Sequence, residues 1–224
     1  ISFVVLLLIY FSAYRAMLID DGLSGIWEIR GGGWKGYLSS YGFENFYYGH
    51  YAIVALLYGV CGLHPFPWFV FFVAMHALNA NLIRMVFTKI FSRTTLAANA
   101  DVMGICSLLL FLLSPYQSEN IIWAATSHYA ISLFLLLLLL WMLVRKMESQ
   151  KTLPIYVWHI LFVFSLLTLE ISFLFPLIMA GLWWHYAVSG ANAISFRHYL
   201  LWVALPQFLF IVLYLVFHQL IYHS

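Results

Sequence analysis

Charge is what this sequence has least of. Only 8% of its 224 residues are Asp, Glu, Lys or Arg, against 65% hydrophobic, whereas a water-soluble domain carries roughly 25% charged residues. That excludes a soluble globular fold. The net charge of +2, scattered through short loops, forms no basic face, which excludes nucleic acid as a partner on electrostatic grounds. Cysteine is scarce as well: Cys61 and Cys106 lack metal-ligand spacing and are expected as buried thiols. The nine histidines include no His-Glu-x-x-His, and there is no Gly-x-Ser-x-Gly and no P-loop pattern. A zinc hydrolase, a hydrolase elbow and a Walker-type nucleotide site are therefore unsupported. No internal repeat or low-complexity linker divides the chain, which reads as one transmembrane domain over residues 1–224. It begins with Ile, so it is expected to be a piece of a longer protein. Ile1–Leu18 holds Arg15 and lacks a small-residue cleavage site, which reads as a retained helix and not a signal peptide.

What is there in quantity is apolar run. A membrane-spanning helix needs about 20 apolar residues, and the candidates are Ile1–Leu18, Trp68–Phe87, Leu96–Leu113, Ile121–Val144, Leu153–Leu169, Ile171–Val188 and Tyr199–Tyr222. Pro65 and Pro67 mark a break before the second, Pro115 a turn after the third, and Pro176 an irregular outer end of the sixth. The leucine run Leu133–Leu140 is expected to face lipid. One further segment, His50–His64, is shorter and holds Gly59 and Gly62; it is expected to lie in the interface as a juxtamembrane helix. With that segment not crossing, Lys89 and Arg93, then Arg145, Lys146 and Lys151, then Arg197 fall on one side, which the distribution of cations makes cytoplasmic. Asp20, Asp21, Glu28, Glu44, Glu119 and Glu170 fall on the other, with Arg30 and Lys35. The expected fold is thus an all-α, polytopic bundle of about seven spans, with interfacial helices in a large first external loop.

Candidate chemistry gathers on that external side. Asp20 and Asp21 emerge where the first run ends, ahead of a loop carrying Trp27, Trp34, Tyr37, Tyr41, Tyr47 and Tyr48. Two adjacent carboxylates push each other's pKa values apart, which suits a general base, a metal ligand or both; the rival reading is a hydrated helix end. Arg30 and Lys35 flank Gly31-Gly32-Gly33, where backbone amides and cations suit a phosphate. His76 and Asn79, three residues apart, share a helix face; they either hydrogen-bond a neighbouring helix or line a substrate cavity. Arg84 on the same helix is expected to snorkel. Glu119 sits at a helix start, which the helix dipole favours by itself, and His128 and Glu170 are the remaining intramembrane polar candidates.

Taken together, Asp20-Asp21, Tyr58-Gly59 to Gly62-Leu63-His64-Pro65, the stretch His76-Ala77-Leu78-Asn79-Ala80-Asn81-Leu82, Pro115 with Glu119-Asn120 and Trp123, and Thr168-Leu169-Glu170 with Pro176 form an ordered set. In this the chain resembles the membrane module of the polytopic, lipid-sugar-dependent glycosyltransferases of the C superfamily, such as the protein O-mannosyltransferases and the related transferases with tetratricopeptide repeats. The resemblance implies transfer of a sugar from a polyprenyl phosphate to an acceptor, with inversion at the anomeric carbon. It implies a catalytic acid in the first external loop, so Asp20 or Asp21 as base toward the acceptor hydroxyl, and Arg30 or Lys35 at the departing phosphate. His76, Asn79, Glu119, His128 and Glu170 would line the cavity. Two positions depart from the family pattern: Leu169 stands where a Lys often precedes the glutamate, and His128 where an Arg often lies. No cofactor is expected, and a divalent metal is left open. The expected partners are membrane lipid, the polyprenyl-phosphate sugar and other membrane subunits, and the expected location is a plasma or inner membrane rather than the endoplasmic reticulum. The alternative from another class is a noncatalytic subunit of a larger membrane complex; a transporter is disfavoured by the absence of an inverted repeat.

Overall fold

The computed structural model describes residues 2–12, 47–114, 127–149, 154–190 and 194–222. All of its regular elements are helical: α1 Ser2–Tyr10, α2 Tyr48–Cys61, α3 Pro65–Phe91, α4 Ala100–Leu112, α5 Ser127–Ser149, α6 Ile155–Leu166, α7 Phe175–Val188, the single turn α8 Phe196–Tyr199, and α9 Leu205–Tyr222. A 3₁₀ turn at Ala97–Asn99 precedes α4, another at Glu170–Leu174 precedes α7, and a π-helical turn at Leu200–Ala204 joins α8 to α9. Four helical stretches, Pro65–Phe91, Ser127–Glu148, Glu170–Val188 and Phe196–Leu220, are long and apolar enough to cross a membrane. An integral membrane protein of several passes requires this.

Two of the other expected spans appear as shorter helices. The helix at Leu153–Leu169 is confined to Ile155–Leu166, 12 residues, a rise of about 18 Å against a hydrocarbon core of roughly 30 Å. Ala97–Leu112 and α2 are likewise shorter apolar helices. At its 14 residues, α2 rises about 21 Å, also short of that core. Its end is set by Gly62, whose φ of 57° lies in the left-handed region that only glycine enters cheaply. The Gly62 N–H closes the last turn on the Tyr58 carbonyl at 2.8 Å. Pro65 and Pro67 then fall in the first turn of α3, where a missing N–H costs nothing. Pro176 has the same place in α7, and the irregular outer end expected there is the 3₁₀ turn Glu170–Leu174.

The chain divides into two compact units. The first comprises residues 1–80, 110–134 and 167–169. Its core holds Leu6 from α1, Tyr51 and Val54 from α2, Trp68, Phe69, Phe72 and Val73 from α3, and Ala130 and Ile131 from α5. Trp68, wholly buried, donates its indole N–H to the Gly62 carbonyl at 3.0 Å, so the turn that ends α2 is fastened to α3. The Gly49 N–H donates to the Leu167 carbonyl at 2.7 Å, which occupies one of the unpaired amides at the start of α2.

The second unit comprises residues 81–109, 135–166 and 170–224. Leu139, Leu143, Val144 and Met147 of α5, Trp158 and Phe162 of α6, and Phe175, Met179 and Tyr186 of α7 are buried in it. The leucine run of α5 is therefore not simply lipid-facing: Leu135, Leu137 and Leu139 are core residues. The cysteine expectation also needs correction, since Cys106 is exposed and Cys61 half-buried; Cys106 lies on an outward face of α4, whose buried residues are Ala100 and Gly104. Gly104 meets α3 so closely that a Cβ would run into the Thr88 hydroxyl and come within 3.0 Å of the Arg84 carbonyl oxygen. Small residues permit such close helix approach in membranes, where packing rather than the hydrophobic effect drives association.

At one end of the second unit, several helix ends meet. Lys89 of α3 pairs with Glu148 of α5 at 3.0 Å. The Ser189 hydroxyl at the end of α7 contacts the Arg93 carbonyl at 3.4 Å, and His185 the Ile90 carbonyl at 3.4 Å. The cation-bearing stretches after α3 and at the end of α5 thus share an end with the close of α7.

Candidate functional site

Of the sequence-derived site residues, Asp20, Asp21, Arg30, Lys35 and Glu119 lie outside the described residues. His76, Asn79, His128 and Glu170 lie within them. The first three belong to the first unit and Glu170 to the second.

In the first unit, α3 and α5 each place polar side chains in an apolar core. Asn79 of α3 is fully buried and donates from Nδ2 to the Ala130 carbonyl of α5 at 2.9 Å, the interhelical bond expected of such a residue. Its Oδ1 has no partner among the described residues. His76, one turn earlier, is 1% exposed and stacks on Phe111 of α4, ring centroids 4.5 Å apart at 23°. Both of its ring nitrogens are buried with no hydrogen-bond partner among the described residues. Leaving such groups unpaired is costly, so α3 carries hydrogen-bonding capacity that the described protein does not use.

Two residues before Ala130, His128 lies among aromatic rings. Tyr47 stacks on it at 5.3 Å and 18°, Tyr129 lies 4.2 Å away, and the His50 ring of α2 meets it edge-on at 5.2 Å. His50 in turn hydrogen-bonds through Nε2 to the Ser127 hydroxyl at 2.8 Å, with both groups buried. Burial first, and the neighbouring His128 second, push the His50 imidazole down to about 3, so it is neutral at physiological pH. The two histidines, Ser127 and Tyr47 form a polar and aromatic cluster joining α2 to the start of α5. His50, Ser127 and Tyr47 were not selected from the sequence as site residues. The available signal was a histidine opening an otherwise apolar helix, and it reads equally well as a helix boundary.

Glu170 opens the 3₁₀ turn of the second unit, and the Tyr214 hydroxyl of α9 donates to its Oε1 at 3.4 Å. Phe173 packs edge-on against Tyr214 at 5.3 Å. The buried Ser165 and Ser172 hydroxyls, 2.7 Å apart, tie the turn back to α6. Among the described residues, no group of three His, Cys, Asp or Glu side chains is arranged to hold a metal ion.

The helices and the buried polar clusters belong to a multi-pass membrane protein class. Compared with known protein families, curated proteins and solved structures, the chain matches none.

Proposed function

We propose that the chain is the membrane module of a glycosyltransferase that moves a sugar from a polyprenyl-phosphate donor to an acceptor at the external membrane face. The observation that carries this reading is the stacking of Tyr47 on His128, beside His50 and Ser127. Tyr47 is the residue at which the loop that begins with Asp20-Asp21 rejoins the described chain. The end of the loop expected to hold the base is therefore anchored on a residue expected to line the cavity. The nitrogens of His76 and Oδ1 of Asn79, unpartnered among the described residues, supply hydrogen-bonding groups for a polar ligand. In the reaction, Asp20 or Asp21 accepts the acceptor's hydroxyl proton as its oxygen attacks the anomeric carbon. The bond from that carbon to the phosphate oxygen breaks, and polyprenyl phosphate leaves with the electron pair, met by Arg30 or Lys35.

The same reading has about seven spans, with α1, α4 and α6 crossing alongside the four long stretches and the bilayer thinning locally around the shorter helices. The meeting of α3, α5 and α7 ends around Lys89, Glu148, Arg93 and Ser189 supports it, because alternating spans place those three ends on the same, cytoplasmic side. A plasma or inner membrane is the location that goes with this reading.

The experiment is transfer from polyprenyl-phosphate sugars by the full-length protein in liposomes. Asp20→Asn or Asp21→Asn lowers turnover by at least about 10²-fold while leaving the protein folded, as loss of a general base does. Near-normal turnover in both variants overturns the assignment.

A second reading, a noncatalytic subunit that packs against other membrane chains, is favoured by the outward apolar faces of the last helices. In the most apolar 18 residues of Glu170–Val188 and of Phe196–Leu220, 28% and 17% are buried among the described residues. Absence of turnover in the unmodified full-length protein with every polyprenyl donor tried selects this reading.

A further inference from the structure

Within the second unit a cavity of about 280 Å³ opens between α5, the start of α6 and the α8–α9 segment. Leu143, Ile155, Trp202 and Val203 make its walls, and Lys146 and His198 supply its polar groups. The walls owe their shape to a backbone irregularity. Pro206, the second residue of α9, has no N–H to give to the carbonyl four residues back, that of Trp202, and its ring crowds that carbonyl. The helix widens there into the π turn Leu200–Ala204. The widened turn carries both Trp202 and Val203, and π turns inside α-helices recur at functional sites.

The polar side of the cavity carries a lysine. Lys146 has no ion pair among the described residues, whose salt bridge joins Lys89 to Glu148. His198 lies one turn before Trp202, rings 6.1 Å apart, and follows the exposed Arg197. Arg145 lies over the Trp141 ring at 5.9 Å. Among the described residues, no carboxylate lines the cavity. Its size falls just under the roughly 300–1,000 Å³ of sites for drug-sized ligands, enough for a headgroup and the first carbons behind it. Tryptophan beside lysine at a helix end is also the arrangement found at the headgroup level of a bilayer.

We propose that this cavity binds the phosphate headgroup of an anionic membrane amphiphile, with Lys146 and His198 on the phosphate and Leu143, Ile155 and Trp202 against the start of its chain. The ligand class follows from one apolar wall and a rim that carries Lys146, with no carboxylate on it among the described residues. The site stands apart from the transferase reading. It rests only on the multi-pass reading, whose failure would appear separately as release of the protein from membranes by alkaline carbonate.

The test titrates short-chain phosphatidic acid, short-chain phosphatidylcholine and inorganic phosphate into the detergent-solubilised full-length protein and follows thermal stability. Phosphatidic acid stabilises the unmodified protein. Lys146→Gln raises the midpoint concentration about five-fold, the worth of one cation near an anionic lipid surface, while Lys146→Arg retains it. His198→Gln weakens binding in the same direction, and Ile155→Trp, which fills the wall, abolishes it; these two carry the test if Lys146→Gln does not fold. Equal stabilisation by phosphatidylcholine overturns the proposal, as does an unchanged midpoint in the charge variants. Inorganic phosphate acting as well as the lipid overturns the amphiphile and leaves a free-anion site.

Discussion

His50 and Ser127 are 77 positions apart in the chain and meet at 2.8 Å. That pairing was not legible in the sequence, because nothing local to an apolar helix says which distant hydroxyl it will meet. His76 and Asn79 were legible as a pair, since polar residues three apart in an apolar run share a face that must be satisfied or used. The structure separates them: Asn79 has a partner for Nδ2, and His76 has none among the described residues. Replacing His76 by Phe therefore leaves thermal stability unchanged or raises it, because it removes two buried nitrogens without partners among the described residues and keeps the stack on Phe111; in the transferase reading it lowers turnover. Asn79→Ala costs about 0.6 kcal/mol and at most roughly 2, the range measured for interhelical bonds in membranes. Thermal unfolding in detergent distinguishes these outcomes. A large loss of stability in His76→Phe would mean that the ring has a partner in the intact protein. His50 adds a pH dependence. Its pKa is lowered in the folded state to about 3 from an unfolded value of about 6.5. Its stabilising contribution is thus fully present above about pH 6.5 and is lost as pH falls toward the folded value. Acidification from pH 7 to 5 lowers the melting temperature of the unmodified protein more than that of His50→Gln; equal slopes contradict this.

At the scale of elements, run length in the sequence overstates helix length. Leu153–Leu169 reads as one span, yet the helix stops at Leu166 and Glu170 opens a separate 3₁₀ turn, held by the Ser165–Ser172 pair. Composition cannot anticipate that, because leucine and phenylalanine are equally apolar inside and outside a helix. For the same reason the leucines of α5 carried no signal of which face is covered, whereas the breaks at Gly62, Pro65 and Pro176 were visible as backbone chemistry. Glycines divide in the same way. Gly104→Ala in α4 forces a Cβ against the Arg84 carbonyl, backbone that cannot swing aside, and costs about 1–3 kcal/mol as overpacking does. Gly181→Ala in α7, where nothing lies within 4 Å, is neutral or gains roughly 0.5–1 kcal/mol from reduced chain entropy. Paired melting curves check both, and a neutral Gly104→Ala would mean that α3 and α4 do not pack this closely.

At the scale of the whole molecule, the cations are what make the orientation readable. The sequence places Lys89, Arg93, Arg145, Lys146 and Arg197 between apolar runs, and positive charge holds such loops in the cytoplasm. In the second unit the ends that carry Lys89 and Arg93 meet those of α5 and α7. The transferase reading depends on this orientation. The measurement that tests it most directly is labelling of single cysteines, in a background lacking Cys61 and Cys106, with a membrane-impermeant reagent on intact cells. A cysteine at Ser114, before the expected external turn, is labelled from outside. One at Ser92, beside Arg93, is labelled only after the membrane is opened. Labelling of Ser92 from outside, with Ser114 protected until opening, would contradict the orientation and with it the placement of the proposed site.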